Sequence, residues 1–330
     1  ERCVGLRVST AEAPRRSLLD ETAVLAWRTI YDSQPCLPLV ELRFEQSGGS
    51  LARVDARTLL LSVGDHNLDG FYARASVPQD PAQHYGKTVR IDLESGAASV
   101  FTLGHRNGQG LLRTADGRLW LTEQGPAGGD ELNVLTAGAD YGWPLVTYGT
   151  AYDKRTWPPS PAEGRHPGFV EPVFAWVPSI AVTSILSAQR DMFPLWRDDL
   201  IVVSLKGDVI RLRVGRDDRV IFAEPIYATN TRIRDAVEGQ DGRLVLYQDD
   251  GAINFIERVH VPADASEEDG APPARGEVLY RMCQDCHRLG SGSDHGAGPD
   301  LAGLLRRDIA SAPGFAYSPA LAGAGGAWTG

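Results

Sequence analysis

Between about Ala23 and Arg258 the apolar residues come in short alternating runs that stop at turn signals, as in "TLLLSVGD", "KTVRIDLESGAASVFTL", "GRLWLTEQG", "DLIVVSLKGDVIRLRV" and "GRLVLYQDDGAINFIERV". Val, Ile, Leu, Thr and Tyr dominate the runs, and the breaks read "ESG", "ADG", "KGD", "QDG" and "DDG". Side chains that alternate over a few residues and then meet a tight turn pair as β-hairpins. No stretch here carries the periodicity of an amphipathic helix. The phrase x-D-G-R-L returns in "TADGRLWL" and "GQDGRLVL", a weak internal repeat. Many short strands with a loosely repeating turn phrase predict an all-β fold, a β-propeller. About 260 residues shared among six blades leaves about 43 each, close to the minimum for four strands, so five blades or six with an incomplete first one both fit.

Thirty-six glycines and twenty-one prolines suit such a turn-rich chain. A net charge of −10 argues against nucleic acid or an anionic membrane as partner. No apolar run approaches the roughly 20 residues that span a bilayer. At "VPADASEEDGAPPARG" the large apolar residues disappear and Asp, Glu, Ala and Pro take over, the composition of a linker. The expected division is a propeller over 1–260, a linker over 261–275 and a small helical domain over 276–330.

The last domain contains "LYRMCQDCHRL". Cys283 and Cys286 are spaced to bond both vinyl groups of a haem, and His287 beside the second thiol is placed to ligate the iron. A thioredoxin-type dithiol needs a βαβ surround, and a structural zinc needs a second ligand pair that His295 alone does not supply. The other two cysteines, Cys3 and Cys36, either form a disulfide in an oxidising compartment or pack as isolated thiols.

Three propeller segments are polar where a structural strand is apolar: "GHRNGQGL", "TEQGPAGGDELN" and "NTRIRDAV". Arg232 and Arg234 alternate, so a strand presents both on one face, where two guanidiniums suit a multiply anionic ligand. Arg106 and Asn107 add a cation and an amide in a glycine-bounded loop. The carbonyls of Gly125 and Pro126 offer hard oxygen donors to Ca²⁺. Singly, each segment reads equally as a solvated loop or a surface ion pair.

Together with "GADYGWP" and "FPLWRDDLIVVSLKG", these segments resemble soluble quinoprotein glucose dehydrogenases and the related aldose and sorbosone dehydrogenases, from about Glu41 to Val259. The resemblance implies a six-bladed propeller binding pyrroloquinoline quinone (PQQ) and Ca²⁺. It assigns Arg106, Asn107, Gln124, Asp130, Lys206, Arg232 and Arg234 to the quinone, and the Gly125 and Pro126 carbonyls to Ca²⁺. The 276–330 segment is similar to class I cytochrome c, with Pro299 of "GPDLAGLLRR" behind His287; this implies haem c. That family takes its sixth iron ligand from a downstream Met. Only Met192 and Met282 exist here, neither of them downstream, so that either the domain is cut short relative to the family or the iron is ligated otherwise.

One departure bears on the chemistry. Where the family carries H-x-G-G-R-L, this chain reads "EQSGGSL", with Gln46 at the His and Ser50 at the Arg. An amide is no general base. Asp65 corresponds to the Asp that orients the missing His; the adjacent His66 and Glu45 are the substitute bases, with His66 read more simply as a turn residue. Three readings follow. The chain is a quinohaemoprotein dehydrogenase of a sugar or related alcohol, passing electrons through haem c to a cytochrome, copper protein or oxidase. Alternatively it is a catalytically impaired ligand-binding or electron-transfer module. A Ca²⁺-dependent lactonase-like propeller is a third reading, one that needs no Arg and Lys cluster. A periplasmic or secreted location follows from the resemblance, and a disulfide between Cys3 and Cys36, if formed, agrees with it.

Overall fold

The computed structural model describes residues 3–14, 22–38, 45–153, 156–157, 164–215, 217–258, 280, 284, 287–290, 295–296, 298 and onward to 328. The chain divides into two compact units, Glu1–Val259 and His260–Gly330. The 261–275 stretch expected as a linker lies outside the described residues, as do Cys283 and Cys286.

In the first unit every strand is antiparallel to its neighbour. Strands β1 (Cys3–Val4) and β4 (Leu37–Pro38) pair, and the Cys3–Cys36 disulfide ties them. Strands β2 (Arg7–Thr10) and β3 (Arg28–Asp32) form a hairpin. Three four-stranded sheets follow. The first holds β5 (Gly48–Arg53), β6 (Thr58–Val63), β7 (Lys87–Asp92) and β8 (Ala98–Leu103). The second holds β9 (Gly108–Arg113), β10 (Leu119–Glu123), β11 (Asp130–Val134) and β12 (Phe174–Trp176). The third holds β13 (Val182–Ser187), β14 (Leu200–Ser204), β15 (Asp208–Val214) and β16 (Val220–Ala228). The last sheet has three strands, β17 (Ile233–Glu238), β18 (Leu244–Gln248) and β19 (Ile253–Ile256).

The first strand of each sheet packs beside that of the next, β5 on β9, β9 on β13 and β13 on β17, which is the blade arrangement of a propeller. Among the described residues there are thus four sheets of three or four strands and two two-stranded pairs, short of six complete blades as the resemblance implies them.

The β14 run "LIVVS" is buried at every position, and the reason is visible in the cores. Leu200 and Val202 join the cluster with Trp120, Leu132 and Trp176, while Ile201 and Val203 join Leu186, Phe193, Ile233 and Leu246. Alternate side chains of one strand thus feed the cores on both faces of the blade. A strand covered on both faces reads as a continuous apolar run instead of an alternating one.

In the second unit, His287 Nδ1 lies 2.7 Å from the Pro299 carbonyl, and Tyr280 Oη donates to the His287 carbonyl at 2.8 Å. A proton on Nδ1 given to that carbonyl puts the ring's lone pair on Nε2. Gly298 lies against the ring: a Cβ there would stand 2.3 Å from Cε1 and 2.6 Å from Nδ1. His295 is already engaged, with Nε2 2.8 Å from the Pro313 carbonyl and Nδ1 accepting from Asp300 N at 3.1 Å.

Candidate active site

Two of the three polar segments singled out in the sequence, "GHRNGQGL" and "TEQGPAGGDELN", meet where the first two sheets adjoin. Gly64–Asn67 leaves β6, and the loop before β9 carries Arg106 and Asn107. Asp65 N donates to the Arg106 carbonyl at 2.9 Å, and Arg106 N donates to Glu123 Oε2 at 2.9 Å. The backbone of Arg106 therefore joins two sheets.

Asp65 is wholly buried. Its Oδ2 accepts from Trp143 Nε1 at 2.7 Å and its Oδ1 from Asn67 N at 2.9 Å. Gln46 closes the remaining approach. With its amide nitrogen facing the carboxylate, it donates to Asp65 Oδ1 at 2.8 Å, while its oxygen accepts from Arg106 Nη2 at 2.5 Å. Burial pushes the Asp65 carboxyl up to about 7, against the opposing pull of Arg106 and the Trp143 hydrogen bond.

His66 follows Asp65, but its ring packs edge-on against Tyr85 with centroids 5.6 Å apart, and Nδ1 is buried without a partner. Burial lowers its pKa and so favours the neutral imidazole. Gln46, His66 and Asn67 all adopt positive φ, at 57°, 52° and 63°. Three non-glycine residues in the left-handed region at one spot store backbone strain, a feature that gathers at functional sites. Glu45 is exposed beside them, its Oε2 accepting from Asn67 Nδ2 at 3.4 Å.

Arg106 is itself buried. Nη1 donates to the carbonyls of Gln124 (3.1 Å) and Gly125 (2.6 Å), Nη2 to Tyr152 Oη (3.3 Å), and the guanidinium lies 5.5 Å from the Trp143 ring centroid. Its Nε is buried without a partner. Asn107 Nδ2 donates to Gln124 Oε1 at 3.1 Å, and Gln124 Nε2 donates to the Val182 carbonyl at 2.8 Å. Asp130 accepts from Gly125 N (3.1 Å), Ser179 Oγ (2.7 Å) and Val182 N (3.1 Å), so both its oxygens are spent on holding the loop. Lys206 Nζ donates to the Ser179 carbonyl. A contiguous chain of contacts therefore runs from Gln46 through Asp65, Arg106, Gln124 and Asp130 to Lys206.

Arg232 and Arg234 sit apart from this chain, and both turn to Asp249. Arg234 Nη2 donates to it at 3.0 Å, and Arg232 Nη1 lies 4.0 Å away. They share a face, as their alternation predicts, but one carboxylate partly neutralises them.

The 125–129 loop is tightly coiled: a Cβ on Gly125 would meet the Gly129 carbonyl oxygen at 2.2 Å and that of Gly128 at 2.5 Å. Of the two carbonyls implied for Ca²⁺, that of Gly125 already accepts from a guanidinium. Among the described residues no cluster of three or more His, Cys, Asp or Glu could hold a metal. As arranged, the residues do not fit a cation at Gly125.

Several members escaped the sequence reading. Trp143 reaches Asp65 from 78 positions away. Glu123 carries the junction from below: His105 Nδ1 lies 2.9 Å from its Oε1, and Asn133 Nδ2 donates there at 3.0 Å. Burial pushes the Glu123 carboxyl up, but His105 and the Arg106 amide outweigh it and leave it below the usual range. The acidic "TEQG" beside "GHRN" was the available signal.

Blades stacked around a polar cluster define a propeller of the sugar-dehydrogenase kind. The sequence matches the family described as Glucose / Sorbosone dehydrogenase over residues 7–256, and the chain belongs to that family. It is 31% identical to the aldose sugar dehydrogenase YliI of Escherichia coli over 261 residues, 74% of this chain and 67% of that protein. A protein of Synechocystis sp. is 30% identical over 254 residues, 71% of this chain and 60% of its own length. The chain thus spans 60–67% of these relatives. Among solved structures, one described as a glucose dehydrogenase matches with a TM-score of 0.65 at 29% identity, covering 77% of this chain and 78% of that one. The apo form of the E. coli soluble aldose sugar dehydrogenase matches with a TM-score of 0.60 at 29% identity, covering 69% and 67%. The C-terminal region is similar to cytochromes c2, with 45% identity over 51 residues to cytochrome c2 iso-2 of Rhodospirillum centenum, 16% of this chain and 41% of that protein.

Proposed function

We propose that this chain binds PQQ and a sugar or related alcohol in the propeller, and passes electrons from the quinone to a c-type haem held by Cys283, Cys286 and His287. The observation that carries the reading is Arg106, a buried cation with an unpartnered Nε at the junction of two sheets, within a family of sugar dehydrogenases. A buried guanidinium with a spare donor is a prepared seat for an anionic ligand. Arg106, Lys206, Arg232 and Arg234 would hold the carboxylates of the quinone, with Asn107, Gln124 and Asp130 fixing the loops on which they stand. When bound, PQQ supplies a two-electron acceptor for alcohol oxidation.

Ca²⁺ at Gly125 and Pro126 belongs to this proposal by resemblance, and it requires Arg106 to release the Gly125 carbonyl. An oxidising location, periplasmic or secreted, agrees with the disulfide and with haem attachment. A cytochrome, copper protein or oxidase would then take the electrons.

A second reading has its own support. Gln46 caps Asp65 and has no basic atom, and the His66 ring is packed against Tyr85. That leaves Glu45 as the exposed carboxylate for the hydroxyl proton; without it the propeller binds but does not turn over. Titration of the purified protein with PQQ, with and without Ca²⁺, followed by dye reduction across aldoses and alcohols, separates the readings. No quinone uptake sinks the first; uptake without reduction establishes the second.

A further inference from the structure

We propose that Tyr72 and Tyr152 form a platform on which a pyranose ring stacks, selecting cyclic sugars over small alcohols. The proposal rests on the sugar-oxidising reading for its biological sense, and its binding test stands apart from it.

Tyr72 is 37% exposed and Tyr152 62% exposed, so both keep ring area open to solvent. Their polar tips are already engaged. Tyr72 Oη accepts from Tyr152 N at 3.2 Å, and Tyr152 Oη accepts from Arg106 Nη2 at 3.3 Å. What remains for solvent is aromatic surface. The centroids lie 6.2 Å apart with the planes tilted by 35°, so the pair offers one broad, slightly angled surface.

That surface has a rigid backing. Tyr72 packs on Phe71 (4.8 Å) and on Trp157 (5.7 Å), which is buried and stacks in turn on Trp143 (4.6 Å). Asp69 Oδ1 accepts from the amides of Phe71 and Tyr72, both at 2.7 Å, and so fixes the loop. A stack held from behind loses little entropy on binding.

A pyranose has C–H-rich faces and an equator of hydroxyls. Its faces match aromatic rings, and its rim needs donors and acceptors close by. Those groups are here: Arg106 Nη2 touches both Tyr152 Oη and the Gln46 amide, with Asn67 and Glu45 alongside. The platform and the position of the family's proton acceptor therefore meet at a single nitrogen atom. A small alcohol has no ring face to bring to this surface.

The test is calorimetric titration of the full chain, prepared without quinone, with glucose, maltose and 1-propanol. The expected result is saturable sugar binding that weakens roughly ten-fold in Tyr72→Ala and in Tyr152→Ala, with propanol indifferent to both. Tyr152→Phe, which keeps the ring, stays within about three-fold of wild type, and Tyr152→Leu, which keeps apolar volume without an aromatic face, behaves like the Ala variant. Unchanged sugar affinity in the Ala and Leu variants overturns the proposal, as does propanol binding as tightly as glucose or wild-type protein that binds neither sugar. Quinone uptake by the same preparations is read separately by absorbance; its absence overturns the dehydrogenase reading and leaves the sugar titration to decide the platform.

Discussion

Asp65→Asn tests whether a carboxylate walled in by Gln46, Trp143 and Asn67 imposes a pH-dependent cost on the fold. Burial raises the Asp65 carboxyl from 3.8 to about 7. The folded state therefore holds a proton that the unfolded chain has released, so stability falls as pH rises from about 4 to about 7 and then levels. Each pH unit well inside that window is worth about 1.4 kcal/mol per proton, so the wild type should lose about 2 kcal/mol through this group between pH 5 and pH 7, where the folded carboxyl is half ionised, and roughly 3 kcal/mol by pH 8. Asn is isosteric and uncharged, and its oxygen can still accept from Trp143 Nε1. The assay is urea unfolding of both proteins at pH 5, 6, 7 and 8. The stability difference should move by about 3 kcal/mol in favour of the variant as pH rises, and the other titrating groups cancel in it. Parallel curves for the two proteins would refute the argument.

Gln46→His restores a titratable ring beside Asp65 and should raise dye reduction by at least roughly 100-fold, the lower range for a general base, with quinone affinity little changed; equal rates count against a missing base. Gly298→Ala drives a methyl group to 2.3 Å from the His287 ring, so the haem-loaded variant should lose its histidine-ligated optical spectrum at unchanged haem content. An unaltered spectrum shows that the ring can give way. Replacing Cys3 and Cys36 by Ser opens a cross-link of 33 residues and should cost roughly 3–4 kcal/mol in the chain-entropy account, seen as an earlier first transition in denaturant; coincident transitions place the N-terminal strands outside the cooperative unit.

Hairpins were legible because their signals are local. The turns in "TADGRLWL" and "GQDGRLVL" do join β9 to β10 and β17 to β18, with Thr114 N donating to the Arg118 carbonyl and Gly239 N to the Arg243 carbonyl. The blade count was not legible, since it depends on which inner strands meet, a relation between residues far apart in sequence. The same distinction runs through the site. Arg106, Asn107 and Gln124 announce themselves as polar residues in glycine-rich loops, and the fold brings them together. Trp143 and Tyr152 look like ordinary core and loop aromatics, and only the tertiary structure places one on Asp65 and both on Arg106. His66 shows the converse: adjacent to Asp65 in sequence, it is turned by its left-handed backbone toward Tyr85. Cys3 and Cys36, left open between disulfide and free thiols, are bonded.

Arg106 hands its amide to one sheet and its carbonyl to the next, while its side chain holds the groups that would face a ligand. Any anion that draws on the guanidinium also pulls on the seam between two blades. Occupancy should therefore be recorded as slower deuterium uptake at the Asp65 amide, whose hydrogen bond crosses that seam, so that one backbone proton reports how full the site is.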